Sequence, residues 1–370
     1  MQGSIEVRKG SRGVSYRARV SVVRNGERVW VSRTFSRKRE AAAWLAEHVN
    51  DEHHGGLVLP DPTTVGELMA RWLLAEVRPT VRDSTLEDYE GTVRLHVLPT
   101  WGNTRLVDVS AAGVQRWLEQ GLADRSPRVK AAAHDRLRQA FDAAVRWGLV
   151  KSNPVRSVRR PRVEYEIQDP WTADEVRAFL AATDGSAWHH LWLVALGTGM
   201  RLGELLGLTW DNVNLEAGTI SVGQQVQVVR NRLVVAPLKT KAARRTVRID
   251  DTVMAALGQR RKEWVAERLR RGDEWGDWVW TCDTGGPTRP TSVHRAWKQA
   301  LKTSKARGIR FHDLRHTHAT LLLAAGVSIP VVAQRLGHAN AAITMGTYAH
   351  ALPDGQERAA QEIGLVLHRA

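Results

Sequence analysis

The side chains best suited to chemistry crowd into residues 309–350. His312-Asp313-Leu314-Arg315 comes first, Leu336-Gly337-His338 next, and Thr347-Tyr348 last. Imidazoles exchange protons near neutral pH. A guanidinium is a permanently charged, planar fork that matches phosphate. A phenol can attack a phosphoryl group, hold it and be displaced again, because with a pKa of ~10 it leaves more readily than an alkoxide. Taken singly, each residue has an ordinary reading: a lone His is a satisfied surface or core group, and a lone Arg a solvated charge. Their grouping is what carries information.

The elements around them are legible. An apolar segment at residues 319–325 reads as buried helix. His312 and Arg315 stand three apart and so share a helix face. Gly326 is a natural C-cap for that helix, and Ser328 can cap the next. That next helix is expected to run to about residue 336 and close at Gly337, leaving His338 just past its end.

Far upstream lies Thr198-Gly199-Met200-Arg201-Leu202-Gly203-Glu204-Leu205. With H-x-x-R, then L-G-H, then a Tyr a helical stretch later, the chain resembles the tyrosine recombinase (phage integrase) family in order, spacing and flanking residues. The resemblance covers residues 171–350 closely and the upstream part by layout. It implies that Tyr348 attacks a DNA phosphodiester and keeps the bond energy as a 3′-phosphotyrosyl ester. Arg201 and Arg315 would clamp the non-bridging oxygens, with His338 as a further donor. Fixed donors of this kind are worth ~3–4 kcal/mol each in the transition state. His312 would serve as base or proton shuttle. Glu204 and Asp313 would orient these groups. In the family a hairpin delivers a lysine that protonates the leaving 5′ oxygen; Lys239 sits at the matching position, with Lys241 as fallback. Tyr16, Tyr89 and Tyr165 lie outside the constellation.

The site so read needs no metal and no cofactor, because arginines take the metal's place. His312 and His316 have i,i+4 spacing, which a zinc site could use. But no Glu follows the first His as in H-E-x-x-H, and the single cysteine, Cys282, lies elsewhere. A disulfide framework is excluded for the same reason.

Composition agrees with a polyanionic partner. The chain has 370 residues, 54 Lys and Arg against 39 Asp and Glu, and a formal net charge of +15 spread along its length. It is 43% hydrophobic and 25% charged, as globular domains are. There is no apolar signal region and no apolar run near the ~20 residues of a membrane span. A cytoplasmic protein acting on double-stranded DNA, with no membrane role, is the expectation.

Read in order, residues 1–55 form a small module. Strands are expected at 4–9, 14–23 and 28–34, with Asn25-Gly26 as a hairpin signal, then a helix at 36–50 whose Ala41, Ala42, Trp44, Leu45 and Val49 can face the sheet. A three-stranded sheet with a basic face, carrying Arg17 and Arg19 among others, looks like the arm-type DNA-binding domain of many integrases. Residues 55–62 read as a linker. Residues 63–150 read as a helical bundle, with helices begun by Thr64, Ser84, Ser110 and Ser126-Pro127 and core positions that include Leu95. This layout resembles the family's SAM-like core-binding domain, in which Arg128 and Lys130 could reach phosphates. Residues 151–170, with Arg159 and Arg160, read as a basic linker that either lies along DNA or is simply solvated.

The catalytic domain is expected over 171–370. Thr172 to Glu175 is a capping box. Residues 188–196 read as buried helix, strands follow at 219–222, 225–229, 233–235 and 245–249, and helices at 251–271 and 290–305. Trp278-Val279-Trp280 reads as a short strand and residues 356–367 as a terminal helix. The fold class is therefore α+β, mainly helical, with a mixed catalytic domain.

The resemblance implies strand exchange between core and arm attachment sites by a homotetramer on DNA, through a Holliday junction, with room for an excision factor or DNA-bending protein. Two alternatives share the residues. A type IB topoisomerase uses the same nucleophile and clamp but needs no partner site. A DNA-binding regulator would keep the fold without the reaction, against which stands the intact set Arg201, Lys239, His312, Arg315, His338 and Tyr348.

Overall fold

The computed structural model describes every residue except 1–2, 11–12, 25–26, 54–61, 165–168, 239, 273–274, 349–362, 365–366 and 368–370, and for 9–10, 13, 22–24, 27–29, 47–53, 241, 343 and 347–348 it describes the backbone alone. The expected Asn25-Gly26 turn, all but the last residue of the 55–62 linker, Tyr165 and nearly all of the expected terminal helix lie outside the described residues, although Ile363, Gly364 and Leu367 are helical. The chain divides into two units, Met1–Glu164 and Tyr165–Ala370.

In the first unit, β1 (Gly3–Gly10), β2 (Gly13–Arg24) and β3 (Glu27–Phe35) form an antiparallel sheet in that order, followed by α1 (Lys38–His53). Alternation sorts the side chains into two faces. Ile5, Ala18, Val20 and Val31 share one face by register, and there Ala18, Val20 and Ala41 of α1 are buried. Ala42 instead faces solvent, one helical step past the packed stripe. The register places Ser4, Arg19 and Ser32 side by side on the other face, beside the row of Glu6, Arg17 and Thr34. Arg33 pairs with Ala18 and so stands on the helix-covered side, not on this basic face.

The rest of this unit is helical: α2 (Val65–Trp72), α3 (Asp83–Thr92), α4 (Leu98–Trp101), α5 (Ala111–Arg116) and α6 (Pro127–Arg146). Thr64 and Glu67 form a reciprocal capping box, and Ser110 and Ser126 cap α5 and α6 through their hydroxyls. Ser84 does not cap α3, because the N-cap is Arg82, two residues earlier, and the helix begins at Asp83. α2, α3 and α5 each run on into a π-helical turn, at Leu73–Val77, Val93–Val97 and Trp117–Gly121. Leu68, Trp72, Val93, Val97, Trp117, Leu137 and Phe141 fill the core. Leu95 is 61% exposed rather than buried, because it stands two residues from both Val93 and Val97 and so falls on the far side of the helix from their stripe. The segment read as a linker begins as part of this bundle. Val155 and Val158 enter its core, Asn153 donates to Arg138 O and Asp142, and Arg156 pairs with Asp142.

In the second unit, Thr172 and Glu175 cap α7 (Ala173–Ala182) in a capping box. Then come α8 (His189–Thr198) and α9 (Leu202–Leu206), and five strands: β4 (Val213–Asn214), β5 (Thr219–Val222), β6 (Gln224–Val229), β7 (Arg232–Pro237) and β8 (Arg245–Arg248). The strands form two sheets, β4-β5-β8 and β6-β7. Arg230 and Asn231, both at positive φ, make the two-residue turn between β6 and β7. β7 therefore pairs back onto β6, and the segment after it is a crossing between sheets rather than the hairpin expected to carry the lysine. Trp278 makes only an isolated bridge with Thr209, so no strand forms there.

Five helices complete the unit: α10 (Asp251–Arg271), α11 (Pro290–Ser304), α12 (Asp313–Ala324), α13 (Ile329–Leu336) and α14 (Ala341–Tyr348). Trp171, Phe179, Trp192, Trp297 and Phe311 pack ring to ring in the main core. α12 and α13 bury Ala319, Leu323, Val332 and Leu336 against each other. Ala324 and Ala325, at the end of the expected buried run, are exposed.

Candidate active site

The site is built on the C-terminal end of α8. Leu191, Trp192, Val194 and Ala195 hold this helix in the core. It stops at Gly199, whose φ of +63° only glycine adopts freely, and where an added Cβ would lie 2.6 Å from the His318 ring. The last carbonyls of a helix lack partners within it. Here side chains from α12 and α13 supply donors. His318 Nδ1 lies 2.7 Å from Leu196 O, Arg335 donates to Gly197 O at 2.8 Å, and Arg315 donates through one terminal nitrogen to Gly199 O at 2.8 Å. Cations there also complement the helix dipole.

His318 is neutral by construction. Leu196 O can only accept and Arg335 Nε, 3.0 Å from His318 Nε2, can only donate. The ring thus carries its proton on Nδ1. Burial first, then Arg335, push its pKa down to about 4. His318 is a structural residue, which joins α12 to the end of α8 and to Arg335 of α13.

Arg201 follows directly and occupies the N-cap of α9. Glu204, 2% exposed, accepts from Arg201 N at 3.0 Å, from an Arg201 terminal nitrogen at 2.8 Å, and from Arg245 at 2.9 Å. Burial acts to raise its pKa, but Arg245 and then Arg201 overcome this and hold the carboxylate below its ordinary range. The Arg201 side chain stays 39% exposed, while that of Arg245 is 4% exposed. Arg245 also donates to Arg335 O at 2.6 Å and Ala243 O at 3.0 Å. It fixes Glu204, and Glu204 aims Arg201.

Arg315 is buried, and besides Gly199 O it reaches Leu336 O at 2.6 Å. That bond ties it to the end of α13. Gly337 closes α13 at φ +70°, and His338 follows with Nδ1 2.7 Å from Thr344 Oγ1. Burial, then Arg315, Arg201 and Arg245, hold His338 at about 4. His312 lies at the N-cap of α12, its ring edge-on to His316 with centroids 5.4 Å apart. Solvent reaches part of its surface, yet the protein crowded round the rest, then His316, Arg315 and Arg201, push it down to about 4. Asp313 is buried and accepts from Arg310, at 2.8 Å from its backbone nitrogen and 2.7 Å from its side chain. It fixes the start of α12, and no hydrogen bond among the described residues joins it to His312 or Arg315.

Arg201, His312, Arg315 and His338 thus stand within electrostatic reach of one another. Two permanent cations beside two imidazoles that are neutral at pH 7 suit a phosphate: fork donors for its oxygens, and rings free to take or relay a proton. Tyr348 is the last residue of α14. Its side chain, Lys239, and the side chain of Lys241 lie outside the described residues.

Arg245, Arg335 and Thr344 were missed as site residues. Thr344 had a signal, four residues before Tyr348 on one helix face. Arg245 and Arg335 had none beyond being basic. Of the expected DNA contacts, Arg17 donates to Ser32 Oγ at 3.0 and 2.8 Å, and Arg19 lies over Trp30. Arg128 and Arg159 are exposed and Lys130 is half-buried. Arg160 is engaged by both oxygens of Asp135, at 3.1 and 3.0 Å.

Known proteins resemble this chain in sequence and in fold. The sequence model described as the phage integrase family matches residues 171–354, and that of the phage integrase N-terminal SAM-like domain matches residues 64–120. An integrase of Streptomyces ambofaciens is 31% identical, over 88% of this chain and 86% of that protein. A tyrosine recombinase XerC-like protein of Caldanaerobacter subterraneus is 27% identical over 94% and 95%. Among solved structures, the Tn1549 transposon integrase in complex with transposon right end DNA superposes with a TM-score of 0.69 at 21% identity, covering 82% of this chain and all of that one. A lambda integrase tetramer bound to a Holliday junction gives 0.60 at 18%, covering 91% and 92%.

Proposed function

The chain belongs to the phage integrase family of tyrosine recombinases, and we propose that it cuts and rejoins DNA as the site-specific integrase of a phage or another integrative element. The observation that carries this reading is the grouping of Arg201, His312, Arg315 and His338 around the end of α8, with a tyrosine closing the helix after His338.

In this reading the Tyr348 oxygen attacks the scissile phosphorus. A 3′-phosphotyrosyl bond forms and the bond to the 5′ oxygen breaks. His312, neutral near pH 7, takes the phenolic proton, and Lys239 gives one to the leaving 5′ oxygen. Arg201, Arg315 and His338 meet the charge that gathers on the non-bridging oxygens. A 5′ hydroxyl from the partner duplex then attacks the ester and releases Tyr348. No water enters, so the bond energy is conserved.

The partner is double-stranded DNA. Arg17 and Arg19, on the uncovered face of the sheet, contact an arm-type site through residues 1–55. Arg128, Lys130 and Arg159 contact the backbone of a core site, and Arg160 does so only by giving up Asp135. A homotetramer would assemble on DNA, as in the lambda integrase structure, with an excision factor or bending protein setting direction in the cytoplasm of the host.

Covalent trapping tests the reading. The chain is incubated in EDTA with duplexes from its element's junctions, nicked beside the crossover so that the cleaved end diffuses away. An SDS-resistant adduct that Tyr348→Phe abolishes is the expected result. Sequence-selective binding without an adduct would overturn it.

A further inference from the structure

His338 and Thr344 are joined by a hydrogen bond of 2.7 Å that links the end of α13 to the middle of α14. Thr344 is fully buried, and its hydroxyl has no other hydrogen-bond partner among the described residues. A buried hydroxyl left without an acceptor for its proton is costly. Were His338 Nδ1 to donate to Thr344 Oγ1, the threonine proton would be left in that position. The reverse arrangement satisfies both groups. The hydroxyl then donates to Nδ1, and the neutral ring carries its own proton on Nε2, the nitrogen turned away from Thr344.

We infer that Thr344 is a positioning residue, which fixes His338 as an Nε2–H donor for the phosphate and in the same contact seats the helix that carries Tyr348. Thr344 precedes Tyr348 by one helical turn on the same face. A displaced α14 would both misplace the nucleophile and free the ring to take its other tautomer. One hydroxyl thus couples the two halves of the reaction. This rests on the recombinase reading above, but the tautomer does not.

The test uses the full chain with Thr344→Val, which keeps the shape and removes the hydroxyl, and Thr344→Ser, which restores it. Side-chain nitrogen NMR of His338 without DNA reports which nitrogen is protonated. The wild type and Thr344→Ser are expected to show protonated Nε2, and Thr344→Val a mixture. In single-turnover cleavage of the nicked duplex, Thr344→Val is expected to form adduct roughly 10- to 100-fold more slowly, by analogy with the cost of losing the partner that orients a metal-bound histidine, and Thr344→Ser to recover most of the rate. A wild-type ring protonated on Nδ1, or full cleavage by Thr344→Val, would overturn the inference. If the wild type never forms adduct, the recombinase reading fails and the NMR result alone decides the role of Thr344.

Discussion

Arg315 donates to the backbone oxygen of Gly199, 116 positions earlier in the chain. The same guanidinium reaches Leu336 O at 2.6 Å, so one side chain ties the turn before Arg201 to the turn before His338. It is a structural staple as much as a phosphate clamp. Arg315→Ala would leave two buried carbonyls without these donors, and is expected to cost roughly 2–4 kcal/mol of stability in urea unfolding as well as ~100- to 1,000-fold in adduct formation. Arg315→Lys should recover part of the stability and little of the rate, because an ammonium is not a planar fork. A variant that lost rate at wild-type stability would refute the staple.

Arg201 should behave differently. Its side chain is partly open, and Glu204 keeps Arg245 when Arg201 is removed. Arg201→Ala is therefore expected to lower the cleavage rate as far as Arg315→Ala does, with a smaller loss of stability than Arg315→Ala, because buried Glu204 keeps the countercharge of Arg245. The same two measurements check it. A large loss of stability would mean that Arg201, and not Arg245, holds Glu204 in place.

Glu204→Gln isolates that carboxylate. The amide nearly keeps its shape but leaves buried Arg245 without a countercharge, a change that typically costs ~3–5 kcal/mol when one partner of a buried pair is removed. Urea unfolding should show a loss near the lower end, since Arg245 still donates to Arg335 O and Ala243 O. Unchanged stability would indicate that those two carbonyls suffice.

What could be read in the chain, and what could not, divides by sequence distance. Thr64 with Glu67, Ser126 with Pro127, and Thr172 with Glu175 act within one turn, so their caps were visible in the sequence. The polar residues of the site were visible as a pattern, and family membership follows from the same pattern. Their supports were not. Arg335 reaches Gly197, 138 positions away, and Arg245 reaches Glu204, 41 away. No periodicity links such residues. Strand pairing failed for the same reason: β7 has β-type residues next to β8 in the chain, but its partner is β6. Leu95 is different: a 3.6-residue period already sets it opposite Val93 and Val97, so its exposure follows from the local pattern.

The uncovered face of the N-terminal sheet makes a further prediction through salt. Every phosphate that a side chain no longer neutralises should reduce the slope of log affinity against log salt by about 0.9. Replacing both Arg17 and Arg19 with Ala is expected to reduce the slope on an arm-type duplex by up to about 2, read by fluorescence anisotropy, with the slope on a core duplex unchanged. An unchanged arm slope would remove this face from the DNA.

Acid should loosen the second unit through its histidines. His318 is buried and held at about 4 against an ordinary 6.5, by burial and then by Arg335. Between these values the unfolded chain binds a proton that the folded chain refuses, so stability is complete above about pH 6.5 and falls as pH drops toward 4. The full effect for this residue is on the order of 3 kcal/mol, at ~1.4 kcal/mol per unit. His312 and His338, also held at about 4, add in the same direction. Urea unfolding at about pH 7 and about pH 5 should show the loss, since only the lower value lies inside the window. His318→Gln can still donate to Leu196 O and accept from Arg335 but does not titrate. It is expected to make the pH dependence shallower, even where it lowers stability overall. An equally steep dependence in that variant would place the acid sensitivity elsewhere than at the carbonyl end of α8.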